Sequence, residues 1–198
     1  MSLKIYNTKC KKTDGQSGLL VTSPTDLTDA FRNQSTLTSF PLFETGLVTD
    51  FGNTWRQCSS LTEFPLIDTS QGTNFYQTWY DCSSLTSFPQ LNFPQGTNFN
   101  NTWYSCSSLT SFPLIDTSLG TNFENTWRNC SSLTSFPQIN FPQGTNFNYT
   151  WRDCKALELF PAGVFDNCPG IDFIGAWSGC DSLTDQSIYN ILESLVTA

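Results

Sequence analysis

Hydrophobic positions along this chain fall at two spacings that alternate. In one stretch Leu85, Phe88 and Leu91 stand three apart, and the same phases hold Leu61, Phe64 and Ile67, then Leu109, Phe112 and Ile115, then Leu133, Phe136 and Ile139. That spacing is too wide for the two-residue alternation of a plain strand. It predicts a short parallel strand around Thr86–Phe88 and its equivalents, entered and left through bends. Pro41, Pro65, Pro89, Pro113, Pro137 and Pro161 lack an amide and limit how regular such a ladder becomes. In the other stretch Phe75, Trp79 and Cys82 are four and then three apart, which predicts one face of a helix of about two turns. Asn74, Asn98, Asn122 and Asn146, with Asp50 in the same phase, suit its N-cap. Gly72, Gly96, Gly120 and Gly144 mark the preceding turn, at a backbone position that is either left-handed or crowded.

Both stretches belong to the block Thr-Trp-x-x-Cys-Ser-Ser-Leu-Thr-x-Phe-Pro. It places Cys58, Cys82, Cys106, Cys130 and Cys154 twenty-four residues apart, with Trp55, Trp79, Trp103, Trp127 and Trp151 in a second series. A unit this short cannot close a core alone, so its apolar positions must be covered by the units before and after it. The expectation is an α/β repeat solenoid of about seven right-handed coils, with its regular part roughly 30 to 35 Å long. It forms a single domain over 1–198: an N-terminal cap over 1–30 with a strand at Lys4–Tyr6, repeat coils over 31–180, and a helical cap over 181–198. In that last segment Ile188, Ile191, Leu192 and Leu195 form one apolar stripe. Asp68 and Asp116 are separated by the Asn92-bearing unit, which either keeps like charges out of adjacent rungs or records duplication of a two-coil unit.

Composition narrows the chemistry. Seventeen Phe and six Trp against 13% charged residues argue for a packed chain whose surface is finished with Ser, Thr, Asn and Gln. A net charge of -8 with nine basic residues speaks against nucleic acid as a partner. No apolar run reaches the length of a bilayer-spanning helix, so membrane insertion is not expected, and Met1 to Asp14 lacks the apolar core of a secretory signal. Eight Cys could mean disulfides, but five of them share one phase and read as small apolar residues in a column; Cys10, Cys168 and Cys180 are left open to oxidation. With no His in the chain, a Ser/His/Asp triad, a Cys/His pair and a Cys/His zinc site are all excluded. No catalytic residue, cofactor or metal site is expected, and the chain is read as not an enzyme.

The phrase Cys82-Ser83-Ser84-Leu85-Thr86-Ser87-Phe88, the segment Asp68-Thr69-Ser70, and Gly72-Thr73-Asn74-Phe75 running on to Thr78-Trp79 together resemble the BspA-like bacterial-surface branch of leucine-rich repeats. They look most like its phage and marine-microbial versions. Val48-Thr49-Asp50-Phe51 is similar to that branch's Val-Thr-Asn-Met segment, and the resemblance covers about residues 27 to 185. It implies a curved right-handed solenoid and an adhesion or receptor-binding role; the sequence leaves open a cytosolic setting, an extracellular one reached after loss of a signal, and a virion-associated one. The chain departs from the branch in using Phe-Pro where Leu and a polar residue are common, and Trp where Phe is common.

If the recurring residues build a scaffold, contacts belong where the units differ. One variable column holds Arg56, Tyr80, Tyr104, Arg128 and Arg152, and another holds Tyr76, Asn100, Glu124 and Asn148. Arg56, Tyr76, Tyr80, Tyr104, Glu124, Arg128 and Arg152 are therefore the candidate binding face, because Tyr and Arg combine apolar area with directional hydrogen bonds. The same residues could instead serve solubility and lateral packing, with Arg lying over Tyr. Expected partners are a protein or glycan surface, or phage structural subunits in an assembly role.

Overall fold

A computed structural model describes residues 24–169 and 172–196. The expected N-terminal cap lies largely outside these residues, as do the strand at Lys4–Tyr6 and Cys10. Among the described residues there is one helix, α1 (Asp185–Val196), and no β-strand; only isolated parallel bridges occur. The α/β repeat solenoid of about seven right-handed coils is therefore corrected. So is the resemblance to BspA-like leucine-rich repeats, since neither the repeated strand nor the repeated helix of such a fold forms.

Two physical reasons account for the difference. Where the two-turn helix was expected, alternate amides bond outside their own segment. Those of Phe75, Gln77, Trp79 and Asp81 donate to the carbonyls of Asn98, Asn100, Thr102 and Tyr104 at 2.9, 3.1, 2.9 and 2.7 Å. The amides of Thr78, Tyr80 and Cys82 close four-residue turns onto Phe75, Gln77 and Trp79, and Gln77 and Asp81 sit at φ of 53° and 57°. A left-handed residue at the third position of a four-residue turn is the mark of type II geometry and interrupts an α-helix. Where strands were expected, the segments leading into the prolines make few ladder bonds. Thr86 donates to Thr62 at 3.3 Å and Thr110 to Thr86 at 3.4 Å, and bridges form only at Ser111, Ser135 and Leu159.

The observed architecture is a pile of irregular tiers tied together at a fixed offset. The bridges run Asp26, Asp50, Asn74, Asn98, Asn122, Asn146 and Asp172, each paired in parallel with the next. Equivalent side chains consequently lie over one another. Trp55, Trp79, Trp103, Trp127 and Trp151 are fully buried, and successive rings stack at 5.5 to 5.9 Å with planes within 8° of parallel. Phe64, Phe88, Phe112 and Phe136 meet these indoles edge-on. Buried hydroxyls bind the tiers as well: Thr78 Oγ1 donates to the Phe51 carbonyl at 2.9 Å and Thr102 Oγ1 to that of Phe75 at 2.8 Å.

The cysteines of the column are buried thiols, and each donates weakly to an aromatic residue's carbonyl one tier back, Cys58 Sγ to Phe31 at 3.2 Å and the others to tryptophans, as Cys106 Sγ does to Trp79 at 3.3 Å. Cys168 and Cys180 are likewise free and buried. Burial pushes the thiols of Cys58 and Cys168 up to about 11 and that of Cys130 up to about 12, from an ordinary 9.0. Unfolded chains release these protons above pH 9 while the folded state keeps them. The stability they contribute is therefore complete below about pH 9 and is lost as pH rises through the folded values, about 11 to about 12. Urea midpoints should fall across that window, and less steeply for Cys130→Ala; equal slopes in both proteins would contradict the assignment.

α1 closes one side of the last tier by hydroxyl contacts together with half of the predicted apolar stripe, Ile191 and Leu195, which pack against the core. Ser187 Oγ accepts from the Phe160 amide at 2.9 Å and donates to the Glu158 carbonyl at 2.8 Å, and Ser194 Oγ accepts from the Phe165 amide at 2.7 Å. The last tier presents backbone groups that a following tier would otherwise satisfy, so serines face it. Ile191 is buried, whereas Ile188 and Leu192 point outward.

Candidate functional site: the arginine–tyrosine column

The left-handed turns present the residue that follows Trp on the outside of every tier. This brings Arg56, Tyr80, Tyr104, Arg128 and Arg152 into one column, all half-buried. Arg56 Cζ lies 4.9 Å from the Tyr80 ring centre, Tyr80 and Tyr104 stack at 4.6 Å with planes 3° apart, and Arg128 Cζ lies 5.6 Å from Tyr104. Tyr149, from the neighbouring row, extends the series between Arg128 at 5.8 Å and Arg152 at 5.5 Å. Tyr149 itself sits at φ 58°, an unfavourable conformation for a bulky residue, and Gly175 lies against it so closely that a Cβ there would be 2.9 Å from the ring.

The electrostatics of the column are uneven. Arg152 pairs with Asp153 at 3.4 Å, and Arg32, in the same phase, with Asp29 at 3.1 Å. Arg56 and Arg128 bond instead to the amide oxygens of Gln77 at 2.6 Å and Asn125 at 3.2 Å, which hold the guanidinium without cancelling its charge. Burial, reinforced by Tyr104, raises the Tyr80 phenol, so it stays a protonated donor at neutral pH. Burial also raises Asp81, with Arg56 pulling the other way.

The second variable column behaves differently. Glu124 Oε2 accepts from Asn100 at 3.1 Å and Asn146 at 3.3 Å, so this carboxylate links tiers laterally, while Tyr76 is 38% exposed. Tyr76 and Glu124 are thus separate from the stacked arginine and tyrosine groups. An open hollow of about 290 Å³ between Leu42, Phe43, Thr45, Leu66 and Ile67 includes none of the column residues. Among the described residues no three His, Cys, Asp or Glu side chains converge in a way that could hold a metal ion. No helix there is long and apolar enough to cross a membrane.

Sequence reasoning missed the rows that aim this column. Asn53, Gln77, Asn101 and Asn125, then Gln57, Asp81, Ser105, Asn129 and Asp153, are all left-handed, and Gly175 and Gly179 fill the same two phases in the last tier. Amide and carboxylate residues spaced four apart, replaced by glycine at the end, were the available signal. Comparison with protein-family models, curated proteins and solved structures found no match to the chain.

Proposed function

We propose that the protein is a noncatalytic binding or adhesion module that recognises a protein or glycan at a cell or virion surface through the Arg56–Arg152 column. One observation carries this reading. The chain has a net charge of -8, yet four of the five basic residues among those described, Arg32, Arg56, Arg128 and Arg152, share a single phase. A folded surface of stacked Tyr with Arg56 and Arg128, which make no ion pair among the described residues, offers area and directional donors together. Replacing Tyr80, Tyr104 and Arg128 together by Ser, Ser and Gln should abolish retention on a glycan and cell-surface panel while the folded core keeps its tryptophan fluorescence. Undiminished retention would remove the column from the site.

A second reading, an assembly role within a phage tail or particle, is favoured by the uncapped part of the last tier. Phe173, Gly175, Trp177 and Gly179 occupy the donor phases of the inter-tier bonds, and their amides donate to no described residue. Phe173 and Trp177 are also only half-buried there. This reading expects association through that edge. Sedimentation of a monomer at every concentration, with no copurifying subunit, would remove it.

A further inference from the structure

We infer that the arginine–tyrosine column takes a linear acidic polysaccharide laid along its length, about one sugar to a tier. This rests on the column being the binding face, and it specifies what that face can accept. Every ring face in the column is already covered: Tyr80 by Arg56 and Tyr104, Tyr104 by Tyr80 and Arg128, Tyr149 by the two arginines. A sugar or aromatic group cannot stack on those faces, so what remains for a partner is the outer edge of the column. That edge consists of phenol hydroxyls and guanidinium donors.

The donors select for negative charge. Arg56 and Arg128 are held by neutral amide oxygens, and no carboxylate lies within ion-pair distance of either among the described residues. Guanidinium groups bind carboxylates or sulfates through charge-assisted hydrogen bonds. Between the two arginines stand Tyr80 and Tyr104, which offer hydroxyls to a sugar's own hydroxyls. The neighbouring row is polar as well, with Gln57, Ser105 and Asn129, while its Asp81 and Asp153 set two carboxylates beside the column that lie nearest Arg56 and Arg152 and leave Arg128 as its least opposed cation.

Spacing separates a polysaccharide from an acidic peptide. Tyr80 and Tyr104 repeat at 4.6 Å, close to the advance of one pyranose unit in an extended chain. An extended peptide places side chains on one face about 6.6 Å apart and falls out of step within two tiers. An acidic sugar chain would stay in step over Arg56, Tyr80, Tyr104 and Arg128, which follow one another at 4.9, 4.6 and 5.6 Å, and would meet Arg152 about two sugars further on, because the Tyr149 ring stands between the last two arginines.

The test measures binding of the full chain to polymannuronate oligosaccharides of increasing length at low salt, by calorimetry. Cello-oligosaccharides of the same length and polyglutamate serve as controls. Affinity should rise until about five or six sugars and then level, with the neutral series unbound. Arg56→Gln and Arg128→Gln should each weaken binding about tenfold, the effect of losing one charge-assisted hydrogen bond. Asp153→Asn should strengthen it by releasing Arg152, a gain that loss of folding cannot imitate. Failure of every acidic oligosaccharide to bind overturns the inference, as does binding that neither arginine variant weakens or that Asp153→Asn weakens. Equal binding of polyglutamate overturns the assignment to polysaccharide. Continued loss of panel retention in the Tyr80, Tyr104 and Arg128 variant would, in either case, leave the column as a binding face for another partner.

Discussion

Replacing Trp103 by alanine is expected to cost about 3 to 5 kcal/mol of stability, the range for losing a large aromatic side chain from a core. Trp103 is fully buried and stacks between Trp79 at 5.6 Å and Trp127 at 5.5 Å, with Phe88 and Phe112 edge-on at 5.2 and 4.8 Å. The backbone cannot close over the void. Trp79 N donates to the Thr102 carbonyl and Trp103 N to that of Thr126, both at 2.9 Å, which fixes the tier spacing on each side. A loss of this size should lower the melting temperature of a chain this long by on the order of 10 °C. Trp103→Phe should cost less for a second reason. The Trp103 indole nitrogen is buried with no acceptor among the described residues, so phenylalanine removes an unsatisfied donor along with the volume. An unchanged urea midpoint for Trp103→Ala would contradict the packing described.

The second large effect is expected at Gly96, where alanine should cost about 1 to 3 kcal/mol by overpacking. A Cβ there would stand 2.5 Å from Phe99 Cζ and 3.2 Å from Phe75 Cε2. Both rings are buried and stack on one another at 5.5 Å, so neither has room to turn aside. The cost is steric alone, because Gly96 is not among the glycines with positive φ. Gly96→Ala should therefore be rescued in part by Phe99→Leu, a positive coupling that a double-mutant cycle reads directly. Simple additivity of the two losses would show that the ring is not what the new methyl meets.

The buried phases of the molecule can be read from its sequence, because Trp, Cys, Leu and Phe recur at fixed offsets and apolar surface has to be covered. The backbone that carries them cannot be read so easily. A spacing of four and then three puts Phe75, Trp79 and Cys82 on one side of a helix, but two successive four-residue turns do the same, and the periodicity does not separate them. What decides is where the amides go. Residues such as Gln77 and Asp81 accept a left-handed conformation more readily than bulky residues, and each turn frees the next amide to bond to the tier beyond. The glycine at position 96 was open to two readings, left-handed or crowded, and the nearby Phe99 ring resolves it as crowded. α1 keeps only Ile191 and Leu195 of its apolar pattern on the core, because part of the surface it covers is backbone, which needs hydroxyl partners. Within the candidate site, Arg56, Tyr80, Tyr104, Arg128 and Arg152 share a phase that is visible in the sequence. The closure of every ring face, which determines what the column can bind, depends on tier spacing and appears only in three dimensions.

The central structural claim is that alternate amides of each turn region bond to the next tier and not back along a helix. Scalar couplings across hydrogen bonds, measured by NMR between amide nitrogens and carbonyl carbons, test this most directly. A correlation is expected from the Trp79 amide to the Thr102 carbonyl, 2.9 Å away, with equivalent correlations from Trp55 to Thr78 and Trp103 to Thr126. A correlation from the Trp79 amide to the Phe75 carbonyl, the partner an α-helix would supply, would contradict it.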